Sequence, residues 1–191
     1  LAAMLDCLPC DTADLGIVAD NLDDLENAFS SCAGSDIIVT SGGASVGDHD
    51  LVQQALRNVG AEIDFWKVAM RPGKPVMAGR LGGSIVLGLP GNPSSAYVTA
   101  FLFLLPLVRH LAGAKVPLPE ILTAVLKDDL PPGGQRTDYL RACCENGVIS
   151  VFSRQDSGML APLSRATALL INPANGPSLS AGSEVPYLRL D

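Results

Sequence analysis

The sequence predicts an α/β domain over residues 1–114, built on a mostly parallel sheet covered by helices, followed by a small all-β, barrel-like domain over 115–191. Three observations carry this. Short apolar runs alternate with helical patterns through the first two-thirds, and strand–loop–helix repetition folds into a parallel sheet. Lys115-Val116-Pro117-Leu118-Pro119 reads as a linker, because two prolines two apart disfavour helix and hold the chain extended. Beyond it no long helical pattern appears, only short apolar runs between turn residues.

Taken in order, residues 15–19 (LGIVA) read as a buried strand. Asn21 is a good cap for a helix whose first turn carries Asp23 and Asp24, acids that suit the positive helix end. Leu22, Leu25, Phe29 and Cys32 follow at helical spacing. Residues 36–40 (DIIVT) form a second strand, 41–47 a glycine loop, and 50–59 a helix with Leu51, Val52, Ala55, Leu56 and Val59 on one face. Residues 62–68 alternate like a strand; 75–78 and 84–88 are two more, turned through Leu81-Gly82-Gly83. The run 96–111 is apolar nearly all round, hence a buried helix, with Pro106 expected to kink it. In the tail, 121–126, 139–144, 148–152, 168–171 and 184–190 are strands, and Asn146-Gly147 is a hairpin signal.

The chain has 191 residues with 13 Lys plus Arg against 20 Asp plus Glu, a net charge of −7. That excludes a general nucleic-acid or anionic-membrane binder, which needs a positive face, but not a local basic pocket. Apolar residues reach 48% and aromatics 5%, so aliphatic side chains fill the core. The longest apolar run, 100–108, is too short to span a bilayer. The first ten residues carry Asp6 and no basic residue, so they do not read as a signal peptide. Five cysteines at irregular spacing point to a reducing cytosol.

Ligands bind at the carboxyl ends of strands in such sheets. Asp20, residues 41–50 and residues 89–94 therefore share one edge. The loop Thr40-Ser41-Gly42-Gly43-Ala44-Ser45-Val46-Gly47 can turn backbone N–H groups toward phosphate or a similar oxyanion; otherwise it is a tight turn without a ligand. It matches neither the P-loop nor the dinucleotide fingerprint. Lys67, Arg71 and Lys74 place three cations within eight residues, an anion clamp or a solvated turn. Leu89-Pro90-Gly91-Asn92-Pro93-Ser94 is either a rigid helix entry or a further set of oriented N–H groups. Asp20, Asp48 and Asp50 beside a phosphate would need Mg²⁺ between them, although Asp50 could equally cap a helix. His49 reads as a surface residue. Cys7 and Cys10 have redox spacing but lack a second pair, and no Ser-His-Asp set can be drawn.

Together and in this order, DIIVTSGGASVGDHD, FWKVAMRPGKP and GLPGNPSSA, with VADNLDDLENAF upstream, resemble the molybdopterin molybdotransferase family (the MoeA, gephyrin E-domain and related plant E-domain group). The motifs span about residues 17–97, and the tail from 117 resembles the family's C-terminal β domain. The resemblance implies a MogA-like molybdopterin-binding domain lacking its first strand. It implies Mg²⁺-dependent insertion of molybdate into adenylylated molybdopterin, with release of AMP. By position, Asp20, Asp50, Lys67 and Arg71 take catalytic roles, Asp20 and Asp50 as metal ligands. Thr40, Ser41, Gly42, Gly43, Ser45, Gly47, Lys74, Pro90, Gly91, Asn92, Pro93 and Ser94 contact substrate, as do Arg141 and Ser157 in the tail.

The resemblance further implies a homodimer and the adenylyltransferase of the same pathway as a partner, with neither nucleic acid nor membrane. Arg71 departs from the Lys of many members, which keeps the charge and changes its geometry; Asp48-His49-Asp50 departs from the family's G-E-x-D. Two further N-terminal domains complete the family's cleft, so this stretch is expected to hold most of a pterin half-site. A gephyrin-like scaffold that dimerises and binds a partner peptide is the alternative. Asp20, Asp50 and the basic cluster favour the enzyme, because a scaffold needs no metal–anion pocket.

Overall fold

The computed structural model describes residues 1–42, 51–65, 67–156, 158 and 161–190. Along the chain the elements are α1 (Ala2–Leu5), α2 (Leu22–Ser31), β1 (Ile37–Ser41), α3 (Leu51–Asn58), β2 (Glu62–Phe65), β3 (Met70–Arg71), β4 (Met77–Leu81) and β5 (Ser84–Leu89). There follow α4 (Pro93–Thr99), a π-helical segment (Ala100–Leu104), α5 (Leu105–Leu111), β6 (Ile121–Leu126), β7 (Thr137–Glu145), β8 (Val148–Val151), α6 (Ala161–Arg165), β9 (Ala168–Asn172) and β10 (Glu184–Arg189). They form two compact units, Leu1–Val68 with Gly73–Ala114, and Ala69–Pro72 with Lys115–Asp191.

The sheet of the first unit has the order β1-β5-β4-β2. β1 and β5 run parallel, whereas β4 is antiparallel to both β5 and β2. The expected mostly parallel sheet is therefore mixed. The reason is local: Leu81 pairs with Ser84, and a two-residue loop joins antiparallel strands because parallel ones need a long crossover. Residues 15–19 are not a strand. The Gly16 N–H donates to Asp14 Oδ1 at 2.8 Å, a local turn that competes with ladder pairing, and Ile17 is fully exposed. The expected strand over 62–68 stops at Phe65, and the one placed at 75–78 lies at Met77–Leu81.

Asn21 caps α2 as expected, its Oδ1 accepting from the Asp24 N–H at 2.9 Å. Leu25 and Phe29 of α2 and Val52, Ala55 and Leu56 of α3 form one core with Ile38, Met77 and Val86. A second core joins Val76, Leu87 and Leu89 to Ala100, Leu104 and Val108. β5, between β1 and β4, is buried along nearly its whole length. The helix that packs on it runs continuously over Pro93–Leu111. Its expected irregularity at Pro106 takes the form of the π segment just before that residue, where the missing proline N–H breaks the ladder. By length and composition this helix could cross a membrane, but most of it is buried like any core helix.

In the second unit β7, β8, β6, β10 and β9 are joined in a ring, closed by the β7–β9 pairing, with β3 added parallel to β7. Ala124, Leu126, Leu140, Ala142, Ile149, Leu170 and Val185 fill the interior. Asn146 and Gly147 turn β7 into β8 with φ of 50° and 77°, the paired positive values of the hairpin turn their sequence announces. The short α6 was not anticipated: five residues give too few turns for a helical period to show.

Candidate functional site

In the first unit β1 and β5 end level, with Thr40 opposite Gly88 and Ser41 opposite Leu89. The pairing continues past both strands: the Gly42 N–H donates to Leu89 O at 3.1 Å, and Ser41 Oγ donates to Pro90 O at 3.4 Å. A Cβ on Gly91 would lie 3.2 Å from Gly42 Cα, so two glycines let these loops touch. Thr40, Ser41 and Gly42 are thus brought together with Pro90 and Gly91. Asn92 then caps α4, its Oδ1 accepting from the Ser95 N–H at 3.1 Å, and Pro93 opens the helix. Ser94 and Ser95 are buried beneath this entry.

The Thr40 hydroxyl is fully enclosed and has no hydrogen-bond partner among the described residues. Such a group costs about 1–3 kcal/mol unless something else supplies the bond. Tyr97, on the first turns of the same helix, has its phenol pushed up by burial. Gly43, Ser45, Gly47 and Asp50 lie outside the described residues, as do Asp48 and His49.

Asp20 is exposed just before the α2 cap. Lys67 and Lys74 are both exposed, at the feet of a loop closed by the Val68 N–H donating to Lys74 O at 3.1 Å. Arg71 lies on β3, which pairs with β7 in the second unit. Among the described residues no group of three or more His, Cys, Asp or Glu could hold a metal ion.

In the second unit Arg71 forms a two-point ion pair with Asp138, Nε to Oδ1 at 2.8 Å and Nη2 to Oδ2 at 3.1 Å. The Arg71 side chain is 58% exposed and that of Asp138 10%. They line a cleft of ≈ 700 Å³ with Arg136, Ser153, Gln155 and Asn172. Asn172 is buried opposite Asp138 on β9, and its Oδ1 has no partner among the described residues. Sequence reasoning missed Asp138, Arg136 and Asn172. None has a local signal; strand pairing alone gathers them.

Among the described residues Arg141 is the largest fully buried side chain, on the face of β7 opposite the barrel interior. Nη2 donates to Asp156 O at 3.0 Å and Nε to Gln155 Oε1 at 3.3 Å. Burial lowers its pKa and the Asp156 charge opposes that. The side chain expected to contact substrate holds the segment after β8 through these bonds. Ser157 lies outside the described residues.

Comparison with known proteins adds to this geometry. Residues 1–110 match a family model described as "Probable molybdopterin binding domain", and residues 123–190 one described as "MoeA C-terminal region (domain IV)". The chain is 34% identical over 189 residues to the molybdopterin molybdenumtransferase of Haemophilus influenzae, covering 95% of this chain and 46% of that protein. It is 36% identical over 185 residues to the protein of the same name from Nostoc sp., covering 92% and 42%. The chain thus spans less than half the length of these relatives. The solved "molybdopterin biosynthesis moea protein" of Pyrococcus horikosii superposes with a TM-score of 0.74 at 26% identity, over 91% of this chain and 42% of that one. A molybdenum cofactor biosynthesis protein from Pyrococcus furiosus gives 0.76 at 21% identity, over 99% and 62%, which shows the fold alone.

Proposed function

The chain belongs to the molybdopterin-binding family that carries the MoeA C-terminal region, and from that premise we propose that it acts in molybdenum cofactor synthesis as part of a molybdopterin molybdenumtransferase. The observation that carries this is the level ending of β1 and β5, which sets Thr40–Gly42 against Leu89–Gly91 beside a helix entry. The positive end of a helix attracts anions, and a pterin phosphate is one.

In this reading the substrate is adenylylated molybdopterin, supplied by an adenylyltransferase, and the products are AMP and the molybdenum-loaded pterin. Thr40, Ser41, Gly42 and the loop 43–47, with 90–94, hold the phosphate end. Lys67 and Lys74 offset its charge. Within the second unit, Arg71 offers a donor fork suited to an oxyanion such as molybdate. Asp20 and Asp50 would hold magnesium, a hard ion that takes carboxylate and phosphate oxygens together and offsets charge on the transferred group. The remaining domains of the relatives and a second copy complete the cleft. All five cysteines are free thiols, which suits a reducing cytosol.

The test uses the full-length protein. Lys67→Ala and Asp50→Asn are expected each to lower cofactor formation at least tenfold while the melting temperature stays near that of the parent. Wild-type cofactor yield from the double variant removes the assignment.

A further inference from the structure

The structure assigns Asp138 as the positioning residue for Arg71. This rests on the reading of Arg71 as the group that binds an oxyanion. Three observations carry it. Asp138 and Arg71 are direct register partners on the parallel β3–β7 pair, so backbone hydrogen bonding fixes where both side chains start. Their contact is two-pointed, which fixes the guanidinium plane as well as its place. Asp138 is nearly buried while Arg71 reaches into the cleft from a largely exposed position.

A free arginine on a surface samples many rotamers, and an incoming anion must freeze them. Here that freezing is done in advance. Nε and one Nη2 hydrogen are taken by the carboxylate, and the Nη1 end of the fork is left turned away from Asp138. The neighbouring strand end is held too: the Thr137 N–H donates to Ala69 O at 3.1 Å and Arg136 Nη1 donates to Met70 O at 3.4 Å. Arg136 thereby brings a second guanidinium to the lining of the same cleft.

One effect works against this. The Asp138 charge repels an anion, so a purely electrostatic account has binding improve when it is removed. The repulsion acts across an exposed, water-screened arginine, while loss of the fork frees every torsion of the side chain. Orientation therefore outweighs repulsion, and the sign of the Asp138→Asn effect decides between them.

The experiment measures binding of sodium molybdate alone to the full-length protein by titration calorimetry, with the melting temperature of each variant. Arg71→Ala is expected to weaken binding by roughly tenfold to a hundredfold. Asp138→Asn is expected to weaken it similarly, and the double variant to be no worse than Arg71→Ala, because Asp138 acts through Arg71. If Asp138→Asn does not fold, Asp138→Ser, which likewise removes the charge and the two-point acceptor, is read by the same criterion. Wild-type or tighter binding by the Asp138 variant, or losses that multiply in the double variant, overturn the assignment and leave the Arg71 reading standing. Wild-type binding by Arg71→Ala instead overturns the Arg71 reading, and Asp138 falls with it.

Discussion

The side-chain amide of Gln155 pairs with the backbone of Arg141 as a strand residue would. Its Oε1 accepts from the Arg141 N–H at 3.0 Å and its Nε2 donates to Arg141 O at 2.9 Å. On β7, residues 137–138 pair with β3 and 142–145 with β8. Gln155 serves the edge in the interval between them. It also donates to Phe152 O at 2.9 Å, which ties its own segment down.

Gln155→Leu should therefore destabilise the second unit by about 1–3 kcal/mol, because the Arg141 N–H is left without its acceptor. Gln155→Glu should cost at least as much despite the nearby guanidinium. The oxygen that replaces Nε2 would face the carbonyls of Arg141 and Phe152. Urea unfolding of both variants checks this; a Glu variant as stable as the parent would show that charge near Arg141, not the amide pairing, matters.

Arg141→Ala leaves the Asp156 carbonyl and Gln155 Oε1 without their guanidinium donor and should cost about 1–3 kcal/mol. The loss is expected in stability, with molybdate affinity unchanged in whatever protein remains folded. Calorimetry beside thermal melting separates the two. A large affinity change with little change in melting would return Arg141 to the substrate-contact role that its sequence position implies.

Gly79→Ala tests the first unit. A Cβ there would run into the Glu62 carbonyl oxygen and approach Ile63 Cα to 3.1 Å. Both are backbone, so neither can swing aside, and the expected cost is about 1–3 kcal/mol or more. Gly83→Ala, with nothing within 4 Å of its new carbon, is the control and should be near neutral. Denaturant midpoints of the two variants suffice to check this.

These residues also show what the sequence could and could not disclose. α2 and its Asn21 cap, β1, α3, β5 and the Asn146-Gly147 hairpin were legible because each is set by residues adjacent to it. Thr40–Gly42 and Leu89–Gly91 were legible as one edge because parallel strands carry their loops to the same end. The apolar run 15–19 misled, since Asp14 offers Gly16 a local bond that period alone does not show. The pairing of Arg71 with Asp138 had no local signal, because β3 finds its partner strand β7 far along the chain. Asp138, Gln155 and Asn172 could not be read at all, because their partners lie 14 to 67 residues away along the chain.

The last prediction concerns alkaline pH. Burial raises the phenol pKa of Tyr139 on β7, as it does for Tyr97, above the ordinary value of 10.0. Above pH 10 the unfolded chain releases this proton while the folded chain retains it. The native state then binds more protons than the unfolded one, so stability falls as pH rises. The contribution is complete below pH 10 and is lost progressively as pH climbs through the raised native value. Tyr139→Phe cannot ionise in either state. Its urea midpoint should fall less between pH 9 and pH 11 than that of the parent, whatever constant offset the missing hydroxyl adds. Parallel declines for parent and variant would mean that the Tyr139 phenol ionises alike in the two states, and that burial on β7 does not hold its proton.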